Sequence, residues 1–157
     1  SFWNGLGMQA NYTWIEASGV PAHVDGSAMS QYAWNYAEVV NLDTVPLEGQ
    51  SEHTANLVLM YQKYDWQARL AYNWRSEYLV SYRDGITNLP VWQDDSGVMD
   101  ASVIWDVTDN VTLSIQANNL LDTESNLSYV LDNGGTRAGK SWFIAERSAI
   151  ASVRLRF

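Results

Sequence analysis

In the stretch TANLVLMYQKYDWQARLAYNW, residues 54–74, apolar and polar residues alternate on both sides of the dipeptide Tyr64-Asp65. A period of two is typical of a β-strand with one apolar face. If Tyr64-Asp65 forms a two-residue turn, Leu59 lies opposite Leu70 and the apolar residues of both strands share one face. The stretch therefore predicts an antiparallel hairpin.

The same alternation recurs along the chain, and no helical period of useful length accompanies it. It predicts an all-β fold, an antiparallel up-and-down meander of about six strands. The predicted strands cover residues 6–14, 51–63, 66–80, 97–107, 111–121 and 142–157.

A second tight turn supports this arrangement. If Thr108-Asp109-Asn110 is a three-residue loop, Val107 lies opposite Val111, and the apolar residues of both strands again share a face. Asn110 suits the left-handed position that closes such a loop.

The remaining connections, at 17–50, 81–96 and 122–141, are long and polar. Tight turns and long connections therefore alternate, as in an outer-membrane β-barrel with short turns at one end and long loops at the other. Residues 30–42 and 126–131 also alternate, which leaves open a complete small barrel of eight strands.

The placement of aromatic residues indicates which solvent meets the apolar face. They form two bands near the strand ends, with aliphatic residues between, as in the aromatic girdles of a membrane barrel. A soluble β-sandwich, such as a carbohydrate-binding module, has no reason for two bands, but it stays the alternative. The bands are Tyr61, Trp66 and Trp105 at the short-turn end, and Trp14, Trp74 and Tyr78 at the long-loop end.

Composition excludes several classes of function. The net charge of −9 makes nucleic acid an unlikely partner. The absence of cysteine excludes disulfides and thiolate metal sites. The two histidines, His23 and His53, have no metal-binding spacing.

Two segments together resemble the end of a TonB-dependent outer-membrane receptor. VTDNVTLSIQANNLLD, residues 107–122, is similar to that family's Asn-Leu-Phe-Asp signature, with Leu121 in place of the usual Phe. RSAIASVRLRF, residues 147–157, resembles the family's closing strand. The hairpin at 48–79 resembles the branch common in carbohydrate-scavenging bacteria.

The resemblance implies that residues 1–157 form the C-terminal segment of a transmembrane barrel of about 22 strands. The earlier strands and the plug domain are expected to lie outside this chain. The implied surroundings are outer-membrane lipid and the rest of the barrel, and the implied energy partner is TonB, acting through the plug. In such proteins the barrel-assembly machinery reads the last strand, here through Val153, Leu155 and Phe157.

The function implied is energised uptake of a scarce nutrient, with an oligosaccharide expected and a ferric siderophore as the alternative. Aromatic rings beside amides and carboxylates suit sugars, because rings stack on C–H faces while polar groups bind hydroxyls. The candidate ligand-binding residues are Trp34, Tyr36, Tyr82, Trp92, Asp94, Asp95 and Tyr129.

No catalytic residue, cofactor or metal site is predicted, and the chain is not expected to be an enzyme. One rival is an outer-membrane enzyme that uses Asp94 and Asp95 as paired carboxylates. With Asp84 they would also suit calcium. Both are less favoured, since acidic loop residues are usually solvated.

Overall fold

The computed structural model describes residues 2–16, 46–87, 89–132 and 134–157. Within these ranges, ten β-strands form two antiparallel sheets, with strand orders β1-β2-β3-β6-β7-β10 and β4-β5-β8-β9. The predicted all-β antiparallel class is confirmed. No helix in the described ranges has the length and apolar character needed to cross a membrane. The elements are a 3-10 turn at Phe2–Gly5, β1 Leu6–Trp14, β2 His53–Lys63, β3 Trp66–Arg75, β4 Tyr78–Ser81, β5 Val91–Gln93, β6 Ser96–Thr108, β7 Val111–Asn118, β8 Glu124–Val130, β9 Arg137–Ile144 and β10 Ser148–Leu155.

The six-stranded sheet keeps one apolar face across all six strands. The predicted pairs of Leu59 with Leu70 and of Trp105 with Leu113 are both present. Directly opposed residues lie on the same face of a sheet, so successive pairings carry that face from one edge to the other. One such row contains Met8, Leu59, Leu70, Ala101, Ala117 and Ala149.

This apolar face is open. Ile115 is 57% exposed and Val153 is 65% exposed, although both are aliphatic residues in the body of the sheet. In a β-sandwich such residues would be buried between two sheets. An exposed apolar surface of this extent therefore requires an apolar medium or partner.

Aromatic side chains mark both ends of the face. Near the short turns, Trp66 stacks on Trp105, with ring centroids 4.9 Å apart and planes 6° from parallel. At the other end the indole N–H groups of Trp14 and Trp74 donate to carboxylates at 3.2 Å and 3.3 Å. The two predicted bands are thus present on the six-stranded sheet, except that Tyr78 lies in β4 of the second sheet.

The four-stranded sheet continues the six-stranded one. Arg75 pairs with Ser96, and Tyr78 pairs with Gln93 in the same register. Strands β3 and β4 are therefore one arm of a long hairpin, and β5 and β6 are the other. In the same way β8 follows β7, and β9 leads into β10.

Several predicted boundaries are wrong. Segments 81–96 and 122–141, expected to be polar connections, contain β5, β8 and the start of β9. Predicted strands 66–80 and 142–157 are each interrupted. A segment as short as β5, with three residues, is too brief to show a period of two. The short strand suspected at 126–131 is confirmed as β8, whereas 30–42 lies outside the described residues.

The turn between β6 and β7 also differs from the prediction. Thr108 pairs with Val111, and a bulge between Asp106 and Thr108 takes up the extra residue. The loop is therefore the two residues Asp109-Asn110, and Asn110 is not left-handed. The bulge shifts the pairing of the two strands by one residue, as a three-residue loop would, so the apolar face stays continuous. The turn at Tyr64-Asp65 is as predicted, with Tyr64 at φ 55°.

An insertion of two residues separates β7 from β8. From Ala101 to Gln93 the chain moves eight residues, whereas their partners Ala117 and Leu127 are ten residues apart. The extra residues fall within Asn119–Thr123, the NLLDT segment. Asn119 and Asp122 are both left-handed, with φ 51° and 56°, a conformation that Asn and Asp tolerate better than most residues.

Asn119 fastens this break. Asn119 as a whole is only 6% exposed, and each polar atom of its side chain is hydrogen-bonded. The amide oxygen accepts from the backbone N–H of Thr123 at 2.9 Å, and the amide nitrogen donates to the carbonyls of Thr123 and Ala145. Its own backbone N–H donates to Asp100 at 3.0 Å. The asparagine of the signature thus joins the ends of three strands.

The described residues include only a small core, because the six-stranded sheet is a single layer. Most of it lies at the four-stranded sheet, where Leu79 is completely buried and Leu89 and Val91 are nearly so, and Ala71 of β3 is also buried. Segment 46–51 lies beside β4, and the backbone N–H of Gly49 donates to the carbonyl of Leu79 at 2.7 Å. This core holds the strands that carry the candidate site.

We expect Asn119→Ala to lower the free energy of unfolding by about 1–3 kcal/mol, because buried backbone groups lose their partners. Asn119→Gly should recover part of this loss, since glycine adopts positive φ without strain. Denaturant unfolding of the two variants measures the difference. Leu121→Ala, at an exposed neighbouring position, is the control. Equal stability of Asn119→Ala and Leu121→Ala would contradict a fastening role for the amide.

Candidate functional site: the Arg137 cluster

The four-stranded sheet places the predicted ligand-binding residues on two faces. Trp92 pairs with Ser128, and Val91 pairs with Tyr129. Neighbouring residues of a strand point to opposite faces, so Trp92 and Tyr129 lie on opposite faces of this sheet. They cannot act as one aromatic surface, although the sequence grouped them together.

The face that carries Trp92 contains a compact charged group, which we call the Arg137 cluster: Glu77, Trp92, Asp94, Ser128 and Arg137. The Arg137 guanidinium lies 2.8 Å from the Glu77 carboxylate and 3.4 Å from that of Asp94. It also lies 5.6 Å from the centre of the Trp92 ring, within the range of a cation–π contact. The Ser128 hydroxyl donates to Asp94 at 3.2 Å. All three charged side chains keep a third to a half of their surface exposed.

The opposite face of the sheet, which carries Tyr129, contains an ion pair. Lys140 contacts the Asp84 carboxylate directly and lies 5.0 Å from the centre of the Tyr129 ring. Asp84 also accepts from the backbone N–H groups of Ile86 and Thr87 at 2.9 Å and 3.1 Å. The group therefore ties the segment after β4 to β9.

The charges of this pair stay fixed over a wide pH range. The hydrogen bond from Lys140, together with the two backbone N–H groups, holds the pKa of Asp84 well below its usual range. The hydrogen bond to Asp84 raises the pKa of Lys140. The contribution of Asp84 to stability is present above the ordinary aspartate pKa and is lost as the pH falls further. That of Lys140 is present below the ordinary lysine pKa and is lost at higher pH.

The other predicted residues are not part of the Arg137 cluster. The Tyr82 hydroxyl donates to the carbonyl of Pro46 at 3.3 Å. Asp95 accepts from the Trp74 indole at 3.3 Å and so belongs to the aromatic band. Trp34 and Tyr36 lie outside the described residues. The structure therefore brings together only Trp92 and Asp94 from the predicted set.

The cluster is suited to binding rather than to chemistry. A partly exposed aromatic ring can stack on an apolar ligand face, while the flanking carboxylates accept hydrogen bonds. The buried Ser128 hydroxyl holds Asp94 in place. Asp94 and Asp95 contact different partners and do not form a carboxylate pair. Within the described ranges no three metal-ligating side chains are grouped to hold an ion.

Sequence reasoning missed Glu77 and Arg137 as members of the site. Residue 77 falls inside the predicted strand 66–80, but β3 ends at Arg75 and β4 begins at Tyr78. Arg137 was placed in a connection, although it is the first residue of β9. The alternation at 126–131 was the available signal. A strand there needs a neighbouring strand, which the residues that follow could supply.

The predicted assembly residues lie at the far end of the six-stranded sheet. Val153 pairs with Leu113, and Leu155 pairs with Val111, so both point to the apolar face. Phe157 follows β10 and is fully exposed. Among the described residues, β10 pairs with β7 alone, and its other edge is unpaired.

Comparison with known proteins gives a family. A sequence model described as TonB dependent receptor-like, beta-barrel, matches residues 1–120. No curated protein and no solved structure matches the chain. The family consists of transporters that lie in the bacterial outer membrane and interact with TonB. The match covers most of the chain, and it agrees with the open single-layer sheet, the exposed apolar face and the two aromatic bands. The chain therefore belongs to the TonB-dependent receptor-like β-barrel family.

Proposed function

We propose that this chain belongs to a receptor for the energised uptake of an uncharged, hydroxyl-rich nutrient, most simply an oligosaccharide. The observation that carries the proposal is the Arg137 cluster, in which an aromatic ring and two partly exposed carboxylates share one face, with the buried Ser128 hydroxyl holding Asp94. Sugar rings bind such surfaces through their C–H faces and hydroxyls.

Charge favours a neutral ligand over an anionic chelate. Arg137 lies within ion-pair distance of two carboxylates, so the three charged groups of the cluster sum to −1. On the other face Lys140 is likewise paired with Asp84. A ferric siderophore with negative charge would meet no free cation among these groups, which makes it the second candidate.

We propose that the chain forms the C-terminal segment of a larger barrel, of about 22 strands in this class of transporter. Among the described residues, β1 and β10 are the two edges of the six-stranded sheet. A membrane barrel leaves no open edge, because unpaired backbone groups are costly in lipid. Further strands would therefore close it, and TonB would act through a plug domain outside this chain.

The last strand is proposed to guide assembly. Val153 and Leu155 point to the apolar face at an unpaired edge, with Phe157 beyond them. An exposed edge of this kind is prone to aggregate until it is paired. Recognition of these residues by the barrel-assembly machinery would protect it. No chemistry on the ligand is proposed.

Trp92→Ala in the full-length receptor should weaken binding to neutral oligosaccharides by roughly tenfold, since a stacked aromatic contact contributes about 1–1.5 kcal/mol. Binding can be measured on an array of immobilised neutral and acidic glycans. Tyr64→Asn changes an exposed aromatic at the opposite end of the sheet and is the matched control. Binding of a ferric hydroxamate chelate without binding to any glycan would favour the siderophore alternative.

Membrane placement predicts a sharp difference between two adjacent residues of β7. Ile115 lies on the apolar face, whereas Gln116 pairs with Ser102 on the polar face. Ile115→Arg should reduce the amount of folded receptor in the outer membrane, because arginine facing mid-bilayer lipid costs about 2–4 kcal/mol. Gln116→Arg should leave that amount nearly unchanged. Heat-modifiability of the outer-membrane fraction measures both, and equal loss would argue against lipid contact on the Ile115 side.

A further inference from the structure

The face that carries Trp92 holds a second tryptophan, which is not a member of the Arg137 cluster. Trp142 of β9 pairs with Asn126 of β8, and Trp92 pairs with Ser128 of the same strand. Asn126 and Ser128 are two residues apart, so they point to one face of the sheet. Trp142 therefore shares the face of Trp92, and it is 63% exposed there.

A bulge and a glycine position the Trp142 ring. The pairing of β8 with β9 shifts by one residue between Leu127 and Ser128, which brings Gly139 and Trp142 to the same face although they are three residues apart. The benzene portion of the indole lies over Gly139, because a Cβ added to this glycine would be 2.7 Å from Cζ2 and 3.1 Å from Cη2 of the ring. The glycine thus provides the space in which the ring rests against the strand.

The two tryptophans stand on either side of a polar row. Trp92 of β5 and Gly139 of β9 both pair with Ser128, which lies between them. Neighbouring strands are about 4.8 Å apart, so these two positions are separated by about 10 Å. Ser128 donates to Asp94, and the Arg137 guanidinium beside the Trp92 ring adds N–H donors. The face therefore presents two aromatic rings with hydrogen-bonding groups between them.

From this arrangement we propose that Trp142 is a second ligand-contacting residue, and that the site takes a chain of linked sugars rather than a single sugar. One sugar ring stacks on Trp92, and another ring farther along the chain stacks on Trp142. A single pyranose is smaller than the separation of β5 and β9, so it cannot cover both indoles. This inference rests on the function proposed above and adds the length of the ligand to it.

The test measures binding of the full-length receptor to malto-, cello- and xylo-oligosaccharides of one to six sugars by isothermal titration calorimetry. Affinity of the wild-type receptor should rise with chain length until both indoles are covered. Trp142→Ala should weaken binding of the longer chains by about three- to tenfold, as the loss of one aromatic contact allows, and leave the shortest chain that binds unchanged. Trp92→Ala should weaken binding at every length.

The outcomes separate this inference from the proposed function. Equal loss at every length in Trp142→Ala, or no loss at any length, would overturn the role of Trp142 while leaving a sugar receptor in place. Absence of binding by all three series would refute the sugar receptor and the role of Trp142 together.

Three further variants test the indole itself. Trp142→Phe should recover most of the affinity for long chains, because a phenyl ring also stacks on a sugar. Gly139→Ala should act like Trp142→Ala, since the added Cβ displaces the ring without removing it; if this variant does not fold, the comparison of Trp142→Ala with Trp142→Phe decides. Phe143→Ala changes the next residue of β9, which is 58% exposed on the opposite face, and is the matched control. A loss in Phe143→Ala equal to that in Trp142→Ala would assign the effect to β9 as a whole and overturn the proposal.

Discussion

The fold depends on keeping one side-chain face in step across six strands. Each antiparallel pairing could shift by one residue, and any such shift would turn a strand's apolar residues to the polar side. The two turns avoid this in different ways. The turn at Tyr64-Asp65 uses two residues with Tyr64 left-handed, whereas the β6–β7 connection combines a two-residue loop with a bulge at Val107. Both solutions keep Leu70 and Ala101 in the row that runs from β1 to β10. The exposed apolar face and the two aromatic bands all follow from this parity.

The second sheet is free of that constraint because the strands are interrupted where they leave the first. The two residues inserted before β8 change its register relative to β7, and Asn119 satisfies the backbone groups that the interruption exposes. Beyond this point the strands are not required to present an apolar face to an apolar medium. Charged residues can then occupy positions in and beside the strands: the Arg137 cluster takes Trp92, Ser128 and Arg137 from strands, and Glu77 and Asp94 from the short links next to them. The register of the strands therefore fixes Trp92, Ser128 and Arg137 relative to one another.

Sequence periodicity was informative where strands are long and one-sided. The hairpin at residues 54–74 and the pairing of Trp105 with Leu113 follow directly from alternating residues and turn length. Periodicity failed for β5, which has only three residues, and for the start of β9, where a bulge interrupts the pairing with β8, whereas the alternation of β8 itself was recognised. The prediction of the candidate site was affected most by this failure. Trp92 and Asp94 were found because of their residue types, but Glu77 and Arg137 join them only through a β8–β9 pairing that includes a bulge. Bulges and breaks are set by three-dimensional packing, and alternation alone does not reveal them.

The stack of Trp66 on Trp105 has an optical consequence. The two indoles belong to β3 and β6, which are separated by the whole second-sheet hairpin, yet their centroids are 4.9 Å apart and the rings are nearly parallel. Chromophores this close share their electronic excitations, so the pair absorbs circularly polarised light as a coupled unit, with a signal that neither ring has alone. That coupling exists only when β3 and β6 are paired in register. The chain thus contains an intrinsic spectroscopic reporter of the closure of its longest hairpin, without any added label.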